Sequence, residues 1–386
     1  MRITWVTRSF LDYRIPVYAE LDNLCGHELT VIYNREVVPE GCQRKLREVL
    51  GERAIGMTGE LRCGGRKHDN ASFSNSGIRV PFQPGLLGRL RATRPEVMLS
   101  DGFMQWTYAP LLYRMFHRVP HVMCYERTAY TERRCQWYRK LYRKMALHWI
   151  DGVCANGSLC GEYLISLGVS GKNISYGQMV ADTSGMASAA AAVPEHERAA
   201  MRRDYPGNGP LFLYVGQIIP RKGVRRLLAA WRELAPADSE LLLLGDGEER
   251  EELQAWCNKN DLRNVHWLGK LPYDEVAKFY RLADVFIIPT LEDNWSLVVP
   301  EAMACGLPIA CSIYNGCHPE LVHPENGWTF DPLDVEDTVK ILRRIISASS
   351  RELAAMGETS RKIVEDHTPQ KAAEAIYRAC CQAAER

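Results

Sequence analysis

Nowhere does the 386-residue chain string together the roughly 18 apolar residues that cross a bilayer, so no membrane-spanning helix is expected. The start, "MRITWVTRSFLDYRIP", turns polar soon after the apolar-rich run beginning at Ile3, and reads as a first strand instead of a secretory signal. A cytoplasmic setting is therefore expected. Close pairs of cysteines at zinc-binding spacing are missing too. The 13 cysteines are scattered and odd in number, and Cys305, Cys311 and Cys317 recur every six residues. They are expected to be reduced, mostly as small core residues, and no structural metal is expected. Net charge is nearly absent at +1, but it is unevenly spread. Residues 1–185 carry an excess of Lys and Arg and the remainder an excess of Asp and Glu, so the first half is expected to meet something anionic, such as a phosphorylated acceptor or a membrane surface.

What is present is an alternation of short apolar runs with helical patterns. The runs are "ITWVT", "ELTVIY", "EVMLS", "HVMCY" and "GVCAN", then "LFLYVG", "ELLLLG", "NVHWLG", "DVFIIP" and "LPIACS". Such alternation predicts an α/β chain of parallel strands joined by helices, in two doubly wound, Rossmann-like domains facing across a cleft. The length agrees, since one core seldom organises much more than about 250–300 residues. Residues 184–210, rich in Ala with Pro and Gly, read as a linker merging into a helix.

Strand ends in the second half suit an anionic nucleotide. After "LFLYV" comes "GQIIPRKG", where Gly216 lets the backbone approach a ligand and Arg221 and Lys222 present adjacent cations before a helix. A tight turn with two solvated basic residues is the competing reading. "GDGEEREEL" puts Gly245 at a strand end and an acidic run at a helix start, where it favours the dipole. Gly269 and Leu271 close another strand with backbone able to bond a base. His266 is read as a packed or hydrogen-bonded strand residue. In "LEDNWSLVVPEAMACG", Ser296 is expected to cap a helix closed by Gly306, with N–H groups from Trp295, Ser296, Leu297 and Val298 forming an anion site. Glu301, one turn in, is placed to reach a ribose diol. Asp293, in the loop with Asn294, is placed to hold sugar hydroxyls. Taken singly, these acids could equally be a dipole partner and a loop residue.

Residues 211–330 resemble the donor-binding domain of retaining glycosyltransferases of the GT-B fold, glycosyltransferase family 4. The resemblance rests on "DNWSLVVPEAMACGLP" and "YVGQIIPRKG". The family's hallmark is two glutamates with seven residues between them, then Ala-Met-Ala and a Gly-x-Pro turn. Here Asp293 stands for the first glutamate, Asn294, Trp295 and Ser296 replace a Gly-Phe-Gly, and Glu301 matches. Gln217 occupies a position where many members have arginine, which moves the diphosphate role to Arg221 and Lys222. In the first half, "YRIP" resembles the start of surface-polysaccharide transferases. There Arg14, Asp101 and Arg127 become acceptor-side candidates, and Glu126 aligns with the position that contacts the transferred sugar or the acceptor hydroxyl. A structural ion pair of Glu126 with Arg127 or Arg133 is the competing reading. Asp182 fills the acid position of a Gly-Val-Asp loop near the hinge.

The resemblance implies transfer of a hexose-type sugar, with retention, from a nucleotide diphosphate donor to a hydroxyl of a glycan or lipid-linked acceptor. Glu126, Arg221, Lys222 and Asp293 would carry the chemistry. It implies no cofactor beyond the nucleotide sugar as co-substrate, no metal, in keeping with the lack of an Asp-x-Asp motif, and no nucleic-acid partner. It leaves the oligomeric state open. The implied domains are residues 1–185 with a crossover helix at 369–386, and residues 190–368, hinged near 184–190 and 366–370. Rival readings are a sugar-nucleotide epimerase of the same fold and a catalytically silent sugar-nucleotide-binding subunit. Residues 133–149, "RRCQWYRKLYRKMALHW", interleave aromatics with cations, as in a helix lying on an anionic membrane at the inner face of the plasma membrane. A core-facing helix with a solvated basic face is the alternative.

Overall fold

The computed structural model describes residues 1–63, 80–103 and 105–386. Contacts divide these residues into two units, one of residues 1–180 with Thr368–Arg386, the other of Ala181–His367.

In the first unit the apolar runs become β1 (Ile3–Val6), β2 (Leu29–Asn34) and β3 (Ala54–Met57). A two-stranded antiparallel ribbon, β4 (Leu61–Cys63) with β5 (Val80–Phe82), follows. Then come β6 (Val97–Asp101), β7 (His121–Tyr125), β8 (Gly152–Ala155) and β9 (Ile174–Tyr176). The main sheet runs β3-β2-β1-β6-β7-β8-β9 with parallel pairings throughout. Helices cover both faces of such a sheet, so its inner strands must be apolar on both sides. Every residue of β1, β7 and β8 is indeed buried.

The second unit repeats the plan with β10 (Leu211–Val215), β11 (Glu240–Leu244), β12 (Val265–Gly269), β13 (Val285–Ile288), β14 (Ile309–Ser312) and β15 (Gly327–Phe330). Its parallel order is β12-β11-β10-β13-β14-β15. In each sheet the winding reverses once, between β1 and β6 and between β10 and β13. In doubly wound sheets a crevice opens there, beyond the carboxyl ends of the strands.

Two local outcomes depart from the sequence reading. The Ala-rich stretch expected as a linker is two helices of the second unit, Thr183–Ala191 and Glu195–Arg202, because alanine is the best helix former and Asp182 caps the first through the Gly185 N–H at 2.9 Å. The helix Trp137–Ala146 buries Arg139 and Arg143 and turns Trp137, Leu141 and Met145 outward. It is therefore no core-facing apolar helix. All cysteines with described side chains are free, and all but Cys381 are buried. No helix among the described residues is long and apolar enough to cross a membrane.

Candidate functional site

In the second unit, the ends of β10 and β13 meet in one polar cluster. Beyond β10 the chain makes a single turn at Pro220–Lys222, passes Gly223 at φ 72°, and enters the helix Val224–Leu234. Gly223 has to be glycine, since a Cβ there would stand 2.0 Å from the Pro289 carbonyl oxygen just past β13. That close approach fastens two loops together. The Arg221 carbonyl accepts from the Leu291 N–H at 2.8 Å and from Thr290 Oγ1 at 3.1 Å.

Lys222 and Asp293 thereby meet. Lys222 Nζ pairs with Asp293 Oδ2, and Ser296 Oγ donates to the same oxygen at 2.6 Å. The Trp295 N–H donates to Asp293 Oδ1 at 3.3 Å. Burial pushes the Asp293 carboxyl up, but the charge and hydrogen bond of Lys222, the Ser296 hydroxyl and the charge of Arg221 outweigh it and hold the group below its ordinary range. The cation expected at a diphosphate and the acid expected at a sugar are thus two halves of one ion pair.

Ser296 is not a helix cap. The helix Val298–Ala304 starts from Leu297 without a side-chain cap, because the Ser296 hydroxyl is engaged by Asp293. The expected anion site shrinks accordingly. The Trp295 and Ser296 N–H groups go to Asp293 and to Asn315 Oδ1 at 3.4 Å, which leaves the helix start at Leu297 and Val298 as its donors. Gly306, at φ 82°, does close the helix through its N–H to the Met303 carbonyl at 2.9 Å.

Glu301 sits on this helix and takes a hydrogen bond from the Tyr280 hydroxyl at 3.2 Å. Burial pushes its carboxyl up to about 7, against the lowering effect of Tyr280 and with a further rise from the charge of Asp182. Trp295 is buried, and among the described residues its Nε1 has no hydrogen-bond partner. Asn294 beside it is half-buried. Gly245 packs against the Gly216 carbonyl so closely that a Cβ would stand 1.8 Å away, and its N–H donates to the Gly269 carbonyl at 2.8 Å, with half-buried Leu271 just beyond. His266 is hydrogen-bonded in its strand, to Glu240 at 2.8 Å.

In the first unit a cavity of about 240 Å³ opens where β1, β6 and β7 end. Arg14, Asp101, Glu126 and Arg127 all line it. Arg14 is buried over the Trp5 ring, donates to the Gln178 carbonyl at 2.9 Å and lies 3.9 Å from Asp101. Burial pushes the Asp101 carboxyl up, opposed by Arg14 and by hydrogen bonds from Thr7 and Trp5.

Two neighbours of Glu126 have contacts of their own. Arg127 pairs with Glu132 at 3.1 Å, and Arg133 stacks on the Tyr130 ring at 3.8 Å. Glu132, fully buried, also pairs with Arg143 at 2.6 Å, and Arg139 and Arg143 line the cavity. Sequence reasoning missed Glu132 and both arginines as site residues. Their i, i+4 spacing put the arginines on one face of the helix, but only the tertiary fold decides which face turns inward.

Two Rossmann-type sheets, each gathering polar side chains where its winding reverses, make up the GT-B glycosyltransferase architecture. Residues 197–363 match the family model described as "Glycosyl transferases group 1". Sulfoquinovosyl transferase SQD2 of Arabidopsis thaliana is 25% identical over 361 residues, 89% of this chain and 64% of its own. A GDP-mannose-dependent monoacylated alpha-(1-6)-phosphatidylinositol monomannoside mannosyltransferase of Corynebacterium glutamicum is 28% identical over 184 residues, 45% of this chain and 48% of its own. The chain thus spans about half the length of the curated relatives it matches. Anabaena HepE, crystallised with UDP and glucose, superposes with a TM-score of 0.68 at 15% identity over 100% of this chain and 98% of its own, a likeness of fold.

Proposed function

We propose that the chain is a metal-independent, retaining transferase of glycosyltransferase family 4. It moves a hexose-type sugar from a nucleotide diphosphate donor to a hydroxyl of a glycan or lipid-linked acceptor. The observation that carries the reading is the Lys222–Asp293–Ser296 cluster at the β10/β13 reversal, with Glu301 on the helix that follows, inside the segment matching the family model.

The chemistry follows from charge. Departure of a nucleotide diphosphate builds negative charge, which Lys222, Arg221 and the N–H groups of Leu297 and Val298 stabilise without reorganising. A sugar hydroxyl donating to Asp293 competes with Lys222 for the carboxylate and frees the ammonium for the phosphates. Glu301 accepts from the ribose hydroxyls. In the first unit, Arg14, Asp101 and Arg127 hold the acceptor, and Glu126 faces its hydroxyl or the transferred sugar. No step calls for a metal or a cofactor, so turnover is expected to survive chelation by EDTA.

Incubation with donor alone, followed by addition of acceptor, tests the reading. Slow hydrolysis alone and transfer on addition of acceptor are expected. A new nucleotide sugar from donor alone would make the protein an epimerase, and donor binding with no turnover would make it a silent binding subunit.

The outward side of the helix Trp137–Ala146 supports a peripheral, cytoplasmic membrane contact for a lipid-linked acceptor. Trp137 is 75% exposed, with Lys140 and Lys144 beside it. Sedimentation with anionic vesicles at low salt, reversed at high salt, is expected. Failure to sediment at low salt removes this part of the reading.

A further inference from the structure

Asp293 stands in a loop, and a loop keeps a side chain in place only when its neighbours hold it. Here the turn after β14 does so. The Asp293 N–H donates to the Tyr314 carbonyl at 3.3 Å, and the Gly316 N–H donates to the Asp293 carbonyl at 3.1 Å, so Asp293 and Asn315 form an isolated parallel bridge. The turn is itself tied down. The Asn315 N–H donates to the Ser312 carbonyl at 3.1 Å, the Tyr314 N–H to Ser312 Oγ at 3.0 Å, and the His318 N–H to the Asn315 carbonyl at 3.2 Å.

The Asn315 side chain carries this support onward. Its Oδ1 accepts from the Ser296 N–H at 3.4 Å, the Cys317 N–H at 3.4 Å and the Cys317 thiol at 3.2 Å. Ser296 Oγ in turn donates to Asp293 Oδ2, the oxygen that pairs with Lys222. A chain of contacts thus runs from Asn315 through Ser296 to Asp293. Asn315 is fully buried, so it acts through other groups.

Stability alone does not account for an asparagine at this position. Among the described residues Asn315 Nδ2 has no hydrogen-bond partner, and an unpaired buried donor is a cost that an apolar side chain would avoid. Asn326, equally buried in the same unit, shows what a fold-holding asparagine looks like. Its Oδ1 accepts from the His323 N–H at 2.6 Å, and its Nδ2 donates to the Leu321 carbonyl at 2.9 Å and to Ser360 Oγ at 3.2 Å.

We propose that Asn315 is a positioning residue for the donor sugar, holding Ser296 and through it the Asp293 carboxylate where the sugar hydroxyls meet it. This rests on the reading of Asp293 as the partner of the sugar. The nucleotide diphosphate is held by other groups, Lys222, Arg221 and Glu301, so the effect of Asn315 is confined to ligands that carry the sugar.

Calorimetric titration with UDP, UDP-glucose, GDP and GDP-mannose tests the assignment, each nucleotide sugar compared with its own nucleotide diphosphate. Asn315→Ala is expected to weaken the nucleotide sugar about tenfold while the nucleotide diphosphate changes by less than about twofold. Ser296→Ala keeps the backbone contact but breaks the chain one link nearer Asp293, and is expected to show the same selective loss. Asn326→Ala is expected to lower the melting temperature and leave both affinities unchanged. The proposal is overturned if Asn315→Ala, folded by circular dichroism, or Ser296→Ala binds the nucleotide sugar undiminished, or if nucleotide sugar and nucleotide diphosphate weaken together, as a purely structural role requires. A wild type that binds none of the four probes would instead remove the transferase reading, and this proposal with it.

Discussion

Glu301 has the most informative titration in the molecule. Its carboxyl moves from an ordinary 4.5 to about 7, chiefly because burial disfavours the charged form. Between these two values the unfolded chain has released the proton while the folded chain keeps it. Folding stability therefore falls as pH rises through this window, by a total of about 3 kcal/mol. Glu301→Gln is expected to flatten that slope in urea titrations at successive pH values. Binding runs the other way, because ribose hydroxyls donate to a carboxylate and not to a protonated acid. Nucleotide affinity is expected to weaken as pH drops below about 7 in the wild type, and to lose that dependence in Glu301→Gln. An unchanged slope in both measurements would remove Glu301 from the site. The positions of Asp293 and Lys222 beyond strand ends, and of Glu301 on the helix that follows, were legible in the sequence because those placements are local. The role of Ser296 was not. Its adjacency to a helix suggested a cap, and a carboxylate delivered by the preceding loop took its hydroxyl instead.

The helix Trp137–Ala146 is fixed from within by charge. Arg143 and Arg127 hold the fully buried carboxylate of Glu132 and outweigh the burial that would push it up, so the group titrates below its ordinary range. Removing Arg143 takes away the cation that pairs with that carboxylate at 2.6 Å. Arg143→Met is expected to cost about 3–5 kcal/mol in urea unfolding, and Glu132→Gln added to it should restore part of the loss. A loss under about 1 kcal/mol would mean that the pair contributes nothing to anchoring the helix. Legibility at this scale followed burial. Inner strands such as His121–Tyr125 announce themselves as continuous apolar runs. The strands Ala54–Met57, Ile174–Tyr176 and Gly327–Phe330 were not read, and all three lie at sheet edges. Ala54–Met57 is four residues with none buried, and Ile174–Tyr176 is three with one buried, so both are short edge strands with little core to mark them.

Chain order and unit membership part company at the C-terminus. The helix Pro369–Ala384 belongs to the first unit, where Ala372, Ala373, Ile376, Ala379, Cys380 and Ala383 join the core beside the helix Ile15–Leu24. Truncation after His367 would strip that face. The shortened chain is expected to lose cooperative unfolding of the first unit, while the second unit keeps its own transition in calorimetry. Two unchanged transitions would contradict this assignment. The central claim concerns the second unit, that a nucleotide sugar lies along the start of the helix carrying Glu301 with its diphosphate on Lys222 and Arg221. Calorimetric titration of wild type, Lys222→Ala and Glu301→Ala with UDP- and GDP-sugars tests it most directly. The account predicts binding of at least one nucleotide sugar to the wild type, and a tenfold or greater loss of affinity, about 1.4 kcal/mol, in each variant. Undiminished affinity and turnover in both variants would contradict it.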